Sequence, residues 1–154
     1  MSNTQSSSSD VQQTAEKELL ANFVEKHKVK KSSFVFPDEF PVKIDGIYEN
    51  VDEKLLLVEV YAHQGFLKSA QTHKICTDML KLITARQFLL SQHKESELWI
   101  LLACEEAEKH FKGKSWHSSV VKHFGINIEV GKLNPQTIEK IKQAQQKQKM
   151  VNAN

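Results

Sequence analysis

The segment Leu55-Leu56-Leu57-Val58-Glu59-Val60-Tyr61-Ala62 is almost continuously apolar. Its length and its aliphatic composition are typical of a central strand that is covered on both faces of a sheet. Glu59 is the exception within this run. A buried carboxylate costs several kcal/mol unless a cation or hydrogen bonds compensate for its lost hydration. A glutamate at this position therefore requires a partner or a functional explanation.

Short β-type runs come before this strand, and helical patterns alternate with strand patterns after it. The predicted strands cover residues 33–36, 42–49, 54–62, 98–104 and 126–130, and the predicted helices cover residues 11–27, 67–90, 116–124 and 135–150, with another helix beginning at 105. Short turns join the first three strands, which favours a meander, and the long helix that follows provides a crossover to the next strand. This order predicts an α/β fold with a mixed sheet of about five strands and helices on both faces.

The chain has 154 residues, of which 40% are hydrophobic. This is enough for one buried core and short for two domains. We expect a disordered serine-rich tail at residues 1–9, because nothing there can offset the entropy lost on ordering, and a single domain at residues 10–150 with a basic helix at about 135–150. Because the sequence has neither a signal peptide nor an apolar run long enough to span a membrane, we expect a soluble cytoplasmic protein with no membrane partner.

Lysine is concentrated toward the C-terminus, where residues 109–149 contain nine lysines and two acidic residues. This asymmetry favours a surface that meets a polyanion, and a solvated lysine face is the alternative. We expect Trp116 to anchor its helix to the core, with stacking on a nucleic-acid base as the alternative. The candidate nucleic-acid contacts are Lys112, Lys114 and Lys122, together with His63 after the third strand.

Asp45 lies on the strand that precedes Glu59. If the turn between the two strands is centred near residues 50–52, the two side chains are opposite each other across an antiparallel pair, about 5 Å apart at Cβ. Carboxylate oxygens are the ligands that Mg²⁺ prefers, and a bound cation can support phosphodiester hydrolysis. The pair is therefore a candidate metal site. The alternatives are a turn role for Asp45, which precedes a glycine, and an ion pair with a neighbouring lysine for Glu59.

These residues resemble the motif of the PD-(D/E)XK nuclease superfamily, which includes restriction endonucleases and recombination exonucleases. The matching text is Ile44-Asp45-Gly46-Ile47-Tyr48-Glu49, then Leu57-Val58-Glu59-Val60-Tyr61, then the helix that contains Gln71 and Lys74. The order of elements agrees over about residues 16–130. The resemblance implies a three-layer restriction-endonuclease-like core in which Asp45 and Glu59 bind Mg²⁺ (or Mn²⁺). It also implies hydrolysis of nucleic acid, with DNA as the expected substrate and RNA left open.

The resemblance implies roles for residues outside the carboxylate pair. In recombination-type members of the family, a glutamine on the helix after the third strand supports the site, which here is Gln71. A glutamate on the first helix of the family can join the metal ligands, which here is Glu18 or, two positions earlier, Glu16. An ordinary solvated or structural role is the alternative for each of these residues.

One position departs from the family motif, because Tyr61 stands where the family has a lysine. A tyrosine is a poor substitute for an ammonium group beside a phosphate. Some family members take their lysine from the following helix, which makes Lys74 and Lys68 the candidates. Lys74 is preferred because it shares a helix face with Gln71 and Asp78.

A catalytically inactive module of the same fold, which binds nucleic acid or a protein partner, is the alternative function. A homodimer or a larger complex is also compatible with the sequence. Kinase, NTPase, dehydrogenase and other hydrolase functions have no support, because the chain contains no Gly-x-x-x-x-Gly-Lys, no Gly-x-Gly-x-x-Gly, no His-Glu-x-x-His and no Gly-x-Ser-x-Gly motif.

Overall fold

A computed structural model describes residues 8–153 of the chain. The helices are α1 (Ser8–His27), α2 (Ser69–Ser91), α3 (Glu105–Lys112), α4 (Trp116–Phe124) and α5 (Pro135–Asn152), and the strands are β1 (Lys30–Lys31), β2 (Gly46–Glu49), β3 (Leu55–Tyr61), β4 (Ser96–Leu102) and β5 (Ile126–Val130). The predicted α/β class, with a mixed sheet of five strands flanked by helices, is confirmed. Within residues 8–153, no helix combines the length and the apolar character needed to cross a membrane.

The sheet has the strand order β1-β2-β3-β4-β5. The first three strands pair antiparallel, as a meander requires, whereas β3 pairs parallel to β4, and β4 parallel to β5. α2 provides the crossover between the two parallel strands β3 and β4. β3 therefore lies at the centre of the sheet, where the pairing changes from antiparallel to parallel, and all of its residues are buried.

Alternate side chains of β3 enter two different cores, because successive residues of a strand point to opposite faces. Leu57 and Tyr61 pack with side chains of α2, α3 and α4. Leu56 and Val58 pack on the other face with side chains of α1 and α5. By this alternation, Glu59 belongs to the face that α2 covers.

The predicted strand at residues 33–36 is wrong. The edge of the sheet is formed instead by the two residues of β1, and residues 32–45 run to β2 without forming a strand. The amide of Ser32 still donates to the carbonyl of Ile47 at 2.9 Å. Regular strand pairing ends there because the phenylalanines that follow pack against α2.

We call residues 32–45 the aromatic loop. The ring of Phe36 is buried, with its centroid 5.0 Å from that of Phe34, 5.7 Å from that of Phe40 and 5.8 Å from that of Phe88 on α2. Phe40 also stacks on Phe88, with centroids 4.6 Å apart. These contacts fasten the loop to α2, and the loop ends at the candidate ligand Asp45.

Local signals at several helix ends act as the sequence predicts. The side chain of Asn134 caps α5 by accepting a hydrogen bond from the amide of Gln136 at 2.9 Å, and Gly125 ends α4 in the left-handed conformation with φ 63°. α1 begins at Ser8, before the predicted N-cap Asp10. Of the predicted disordered tail, residues 1–7 lie outside the described residues, whereas Ser8 and Ser9 are helical.

Replacing Phe36 with alanine should lower the free energy of unfolding by about 3 kcal/mol, because it empties the space between the aromatic loop and α2. Urea denaturation measures this change. The matched control is Val35→Ala in the same loop, because Val35 is 80% exposed and its truncation should cost less than about 0.5 kcal/mol. Equal losses in the two variants would contradict the packing described for the loop.

Candidate active site at the end of the central strand

Two carboxylates come together where β2 begins beside the end of β3: Asp45 is the last residue of the aromatic loop, and Glu59 lies within β3. Gly46 pairs with Val58 in the antiparallel register, which places Asp45 directly opposite Glu59, as the position of the turn predicts. The amide of Asp45 donates to Oε1 of Glu59 at 3.2 Å. The amide of Val60 donates to Oδ2 of Asp45 at 2.9 Å. Each carboxylate is therefore held by the backbone of the neighbouring strand.

The two carboxylates differ in their access to solvent. Glu59 is 2% exposed, whereas Asp45 is exposed. A cation arriving from solvent would therefore meet Asp45 on the open side and Glu59 on the buried side. This arrangement suits a site that is rigid within the sheet and accessible from outside.

The glycine after Asp45 has a steric reason. A Cβ atom on Gly46 would lie 2.5 Å from Cε2 of Tyr48 and 2.8 Å from its hydroxyl oxygen. Burial raises the pKa of Tyr48, and the negative charge of Asp45 raises it further, which indicates that ring and carboxylate are close. Gly46 therefore leaves room for the Tyr48 ring beside the candidate ligand.

The lysine that contacts the buried member of the pair, Glu59, is Lys81 on α2. Its Nζ lies 2.9 Å from Oε1 of Glu59 and 3.7 Å from Oδ1 of Asp78. The sequence-based candidates, Lys74 on the same helix and Lys68 at its N-cap, form no ion pair with Glu59, and their expected catalytic role stays a prediction. Lys81 follows Lys74 by two helical turns on the same face, so the stripe of polar residues pointed toward it.

Which lysine of α2 lies level with Glu59 depends on how the helix packs along β3. α2 runs back along the sheet, because it must return the chain to the start of the parallel strand β4. Helical side chains tilt toward the N-terminus of their own helix. A lysine well inside α2 can therefore reach back to Glu59, which precedes the last residues of β3.

Burial dominates the electrostatics of the carboxylate in β3. It raises the pKa of Glu59 to about 8; the hydrogen bond from Lys81 opposes this rise and the negative charge of Asp45 adds to it. Burial alone would lower the pKa of Lys81, but the hydrogen bond and charge of Glu59 raise it above its ordinary value. Each of the two groups therefore favours the charged form of the other, while burial opposes the charge on both.

Two further acids are electrostatically coupled to the pair. Burial raises the pKa of Glu16 on α1, and the charge of Asp45 raises it further. Burial also raises the pKa of Asp78 on α2, with lowering contributions from Lys81 and Lys74 that are larger than the raising one from Asp45. The region around Asp45 and Glu59 therefore holds more carboxyl groups than lysines, and added positive charge would relieve their repulsion.

Glu18, named as a metal ligand from the sequence, does not join this group. Its carboxylate accepts hydrogen bonds from the amide of Asn134 and from Oγ1 of Thr137, the latter at 2.8 Å, so it stabilises the start of α5. Glu16 is the acid of α1 that the charge of Asp45 affects. Two positions correspond to about 200° around a helix, which is why the two glutamates serve different sites.

The remaining predicted residues lie at the start of α2 and around the ring of Tyr61. Oε1 of Gln71 accepts a hydrogen bond from the amide of Lys68 at 2.6 Å and thereby caps α2. Nζ of Lys74 lies 5.2 Å from the centre of the Tyr61 ring, and the ring of His63 stacks on Tyr61 with centroids 5.8 Å apart. Burial raises the pKa of Tyr61 to about 12, so its hydroxyl stays neutral and cannot replace the charge of the motif lysine.

The lysine-rich surface of α3 and α4 includes an aromatic ring that the sequence interpretation placed in the core. Trp116 is 65% exposed, and its ring centroid lies 3.8 Å from that of His117. The prediction that Trp116 anchors α4 to the core is therefore wrong, and its exposed ring is accessible for stacking. The exposed lysines of this part of the chain include Lys112, Lys114 and Lys122.

In residues 8–153, no group of three or more His, Cys, Asp or Glu side chains is arranged to hold a metal ion. A cation between Asp45 and Glu59 would therefore complete its coordination with water or substrate oxygens. Mg²⁺ is commonly bound in this way, through one or two carboxylates with several waters retained. The pair fits this mode of binding and does not fit a site made entirely of protein ligands.

Comparison of the chain with protein-family models, with curated proteins and with solved structures gave no match. Its function must therefore be inferred from the geometry and chemistry of the site.

Replacing Glu59 with glutamine should stabilise the metal-free protein at alkaline pH. The wild-type carboxyl is protonated up to about pH 8 in the folded state but only up to about 4.5 when unfolded. Its stabilising contribution is therefore complete below pH 4.5 and is lost as the pH rises through 8. Glutamine removes this loss, so the melting temperature of Glu59→Gln relative to wild type should increase from pH 5 to pH 9 in EDTA.

The control for this pH series is Glu97→Gln, which removes a partly exposed carboxylate paired with Lys54 at 3.8 Å. Its effect should change little over the same range, because surface pairs contribute at most about 1 kcal/mol. A stability difference for Glu59→Gln that shrinks as the pH rises would contradict the raised pKa of the buried Glu59 carboxyl.

Proposed function

We propose that the protein is a metal-dependent nuclease with a restriction-endonuclease-like core. It hydrolyses phosphodiester bonds of nucleic acid, with DNA as the expected substrate in preference to RNA. The observation that carries this proposal is the pair of carboxylates held opposite each other across β2 and β3, with a lysine ammonium 2.9 Å from the buried one. Two acids and a lysine on rigid elements are the groups that metal-assisted phosphoryl chemistry needs. The antiparallel strands followed by a helical crossover support the same core.

In this proposal, Asp45 and Glu59 ligate Mg²⁺ or Mn²⁺. Hard carboxylate oxygens suit these ions, and the raised pKa of Glu59 means that a cation would displace a proton from it below about pH 8. A bound divalent cation supplies an activated water and neutralises charge on the phosphate. Glu16 and Asp78 add negative charge around the ion without approaching it as closely.

Lys81 takes the role of the lysine that Tyr61 replaces. Its ammonium is close to Glu59 and is held by Asp78 on the same helix, while about a third of its side chain remains exposed. From this position it can orient the attacking water or contact the scissile phosphate. Lys74, over the Tyr61 ring, can contact a neighbouring phosphate of the same nucleic-acid strand.

A module that binds nucleic acid or a protein partner without cutting is the second candidate function. The observation that favours it is Tyr61 at the position of the motif lysine. Such a module would bind nucleic acid with an affinity that falls as salt increases, and it would show no cleavage with any divalent cation. The cleavage measurements below therefore separate the two candidates.

Incubation with single-stranded, linear and plasmid DNA should give cleavage that requires Mg²⁺ or Mn²⁺. Asp45→Asn and Glu59→Gln should each reduce the rate at least about 100-fold, because each removes a metal ligand. Mn²⁺ affinity, measured by calorimetry, should rise with pH up to about 8 as Glu59 loses its proton. Glu97→Gln is the control and should cleave as wild type does. Cleavage that survives both carboxylate substitutions would rule out the proposed site.

Replacing Lys81 with methionine should lower the cleavage rate by about 10²- to 10³-fold, the usual effect of losing a positioned charge beside a transition state. Lys68→Met and Lys74→Met are matched controls on the same helix, and we expect them to affect the rate less and substrate affinity more. Thermal unfolding of each variant checks that the fold is retained. A loss confined to Lys74→Met would transfer the catalytic role to Lys74.

A further inference from the structure

A cavity of about 340 Å³ lies at the end of β3, where Tyr61, Ala62 and His63 line it. It is lined by the first turns of α1, the N-terminal part of α2 and the second half of α5. Sheets with parallel strands commonly bind ligands outside the carboxyl ends of those strands. The volume is at the small end of the range for small-molecule sites, about 300–1,000 Å³, so the cavity suits a single small group.

One wall of the cavity is aromatic. Tyr61 and His63 both line it, and their rings are nearly parallel, with an interplanar angle of 25° and centroids 5.8 Å apart. Tyr61 follows Glu59 by two residues on the same face of β3, a step of about 6.7 Å along a strand. A planar group stacked at this wall would therefore lie one short step from the candidate metal ligands.

The other walls present amides and no carboxylate. Four glutamines line the cavity: Gln12 from α1, Gln71 from α2, and Gln145 and Gln148 from α5. A glutamine side chain offers both a donor and an acceptor, which is what the edge of a nucleobase requires. Gln71 already accepts from the amide of Lys68, and Gln145 exchanges hydrogen bonds with the backbone of Gln64, so the exposed Gln148 is the glutamine best placed to meet a base. The contrast with the acid-rich pair on the other side of Tyr61 indicates that the cavity takes a different part of the substrate.

Lysine side chains lie at and around the cavity. Lys74 lines it directly. Burial lowers the pKa of His63, and the nearby charges of Lys68 and Lys149 lower it further, so the imidazole is neutral at neutral pH and the lysines supply the positive charge. A ligand that joins a planar ring to an anionic group would match both the aromatic wall and these lysines.

The rim that α5 contributes is fastened in place. The amide of Gln64 donates to Oε1 of Gln145 at 3.0 Å, and Nε2 of Gln145 donates back to the carbonyl of Gln64 at 3.1 Å. The side chain of Gln64 also donates to the carbonyl of Ala103 at 3.1 Å. These bonds join α5 to the loop after β3, so the cavity is formed before any ligand binds, which lowers the entropic cost of binding.

We propose that this cavity binds one unstacked nucleotide of a nucleic-acid strand, with its base against Tyr61 and His63 and its phosphate toward Lys74. The identity of the ligand rests on the proposed nuclease function. The cavity is partly open to solvent, and a base must leave its stack to lie flat against Tyr61 and His63. A base from a single strand or a frayed end can do so, whereas a base stacked within a duplex cannot. The proposal therefore assigns single-stranded or end-frayed nucleic acid as the substrate class.

The test compares single-stranded and duplex oligonucleotides of the same sequence in EDTA, where no cleavage occurs. Fluorescence anisotropy should give an affinity for the single strand at least tenfold higher than for the blunt duplex. Ala144→Phe should remove this preference, because Ala144 lines the cavity from α5 and the added ring fills it. The matched control is Gln146→Phe on the exposed side of the same helix, which should bind as wild type does.

A second variant, which adds a charge at the surface, keeps the test valid if Ala144→Phe fails to fold. Gln148 is an exposed residue of the rim, and Gln148→Glu should weaken single-strand binding severalfold, whereas Gln146→Glu should have a smaller effect. Deoxynucleoside monophosphates should compete with the single strand in wild type and not in Ala144→Phe. Unchanged single-strand affinity in folded Ala144→Phe and Gln148→Glu would overturn the proposal.

Failure of this proposal can be distinguished from failure of the nuclease proposal. Asp45→Asn should lose cleavage while retaining single-strand binding in EDTA. If wild type cleaves but Ala144→Phe binds and cleaves normally, the nucleotide cavity is wrong and the metal site stands. If wild type binds single strands through the cavity but never cleaves, the cavity stands and the nuclease assignment fails.

Discussion

Glu59 places a carboxylate inside the central strand, 2% exposed, on the face that is otherwise packed with apolar side chains. Leaving such a group without partners would cost several kcal/mol. Two donors meet it, the amide of Asp45 and the ammonium of Lys81. Their positions require the register between β2 and β3 and the placement of α2 over β3. The hydrogen bonds of Glu59 therefore require both the register between β2 and β3 and the position of α2 on the sheet.

The change from antiparallel to parallel pairing at β3 gathers the functional groups at one edge of the sheet. β2 begins beside the end of β3, which brings Asp45 to that edge. The crossover helix α2 must also start near it, which brings Gln71 and Lys74 close by. The aromatic loop holds the approach to Asp45 against α2 through Phe36 and Phe40. The same topology leaves a cavity between α1, α2 and α5 beyond the strand ends, so acid-rich and amide-rich regions adjoin at Tyr61.

The predictions that were confirmed and those that were wrong differ in the range of the interactions that decide them. The turn between β2 and β3 could be located from its polar residues, and it correctly placed Asp45 opposite Glu59. The strand predicted at residues 33–36 was wrong because its phenylalanines pack on α2, a contact far away in sequence. Glu18 was chosen over Glu16 without knowledge of how α1 is rotated against the sheet. Lys81 was not chosen from the sequence because helical periodicity identifies which residues share a face of α2. It does not show which of them lies level with Glu59 along β3.

The sequence by itself determined the α/β class, the buried central strand with its one acid, the opposing aspartate, and the helix ends at Gly125 and Asn134. These features follow from hydrophobic periodicity, turn residues and capping, which act over a few residues. Only the tertiary structure decided which lysine reaches Glu59, which glutamate of α1 faces Asp45, and which side chains enclose the cavity beside Tyr61. Those outcomes depend on the tilt, rotation and depth of helices packed against the sheet, which are set by many side chains distant in sequence.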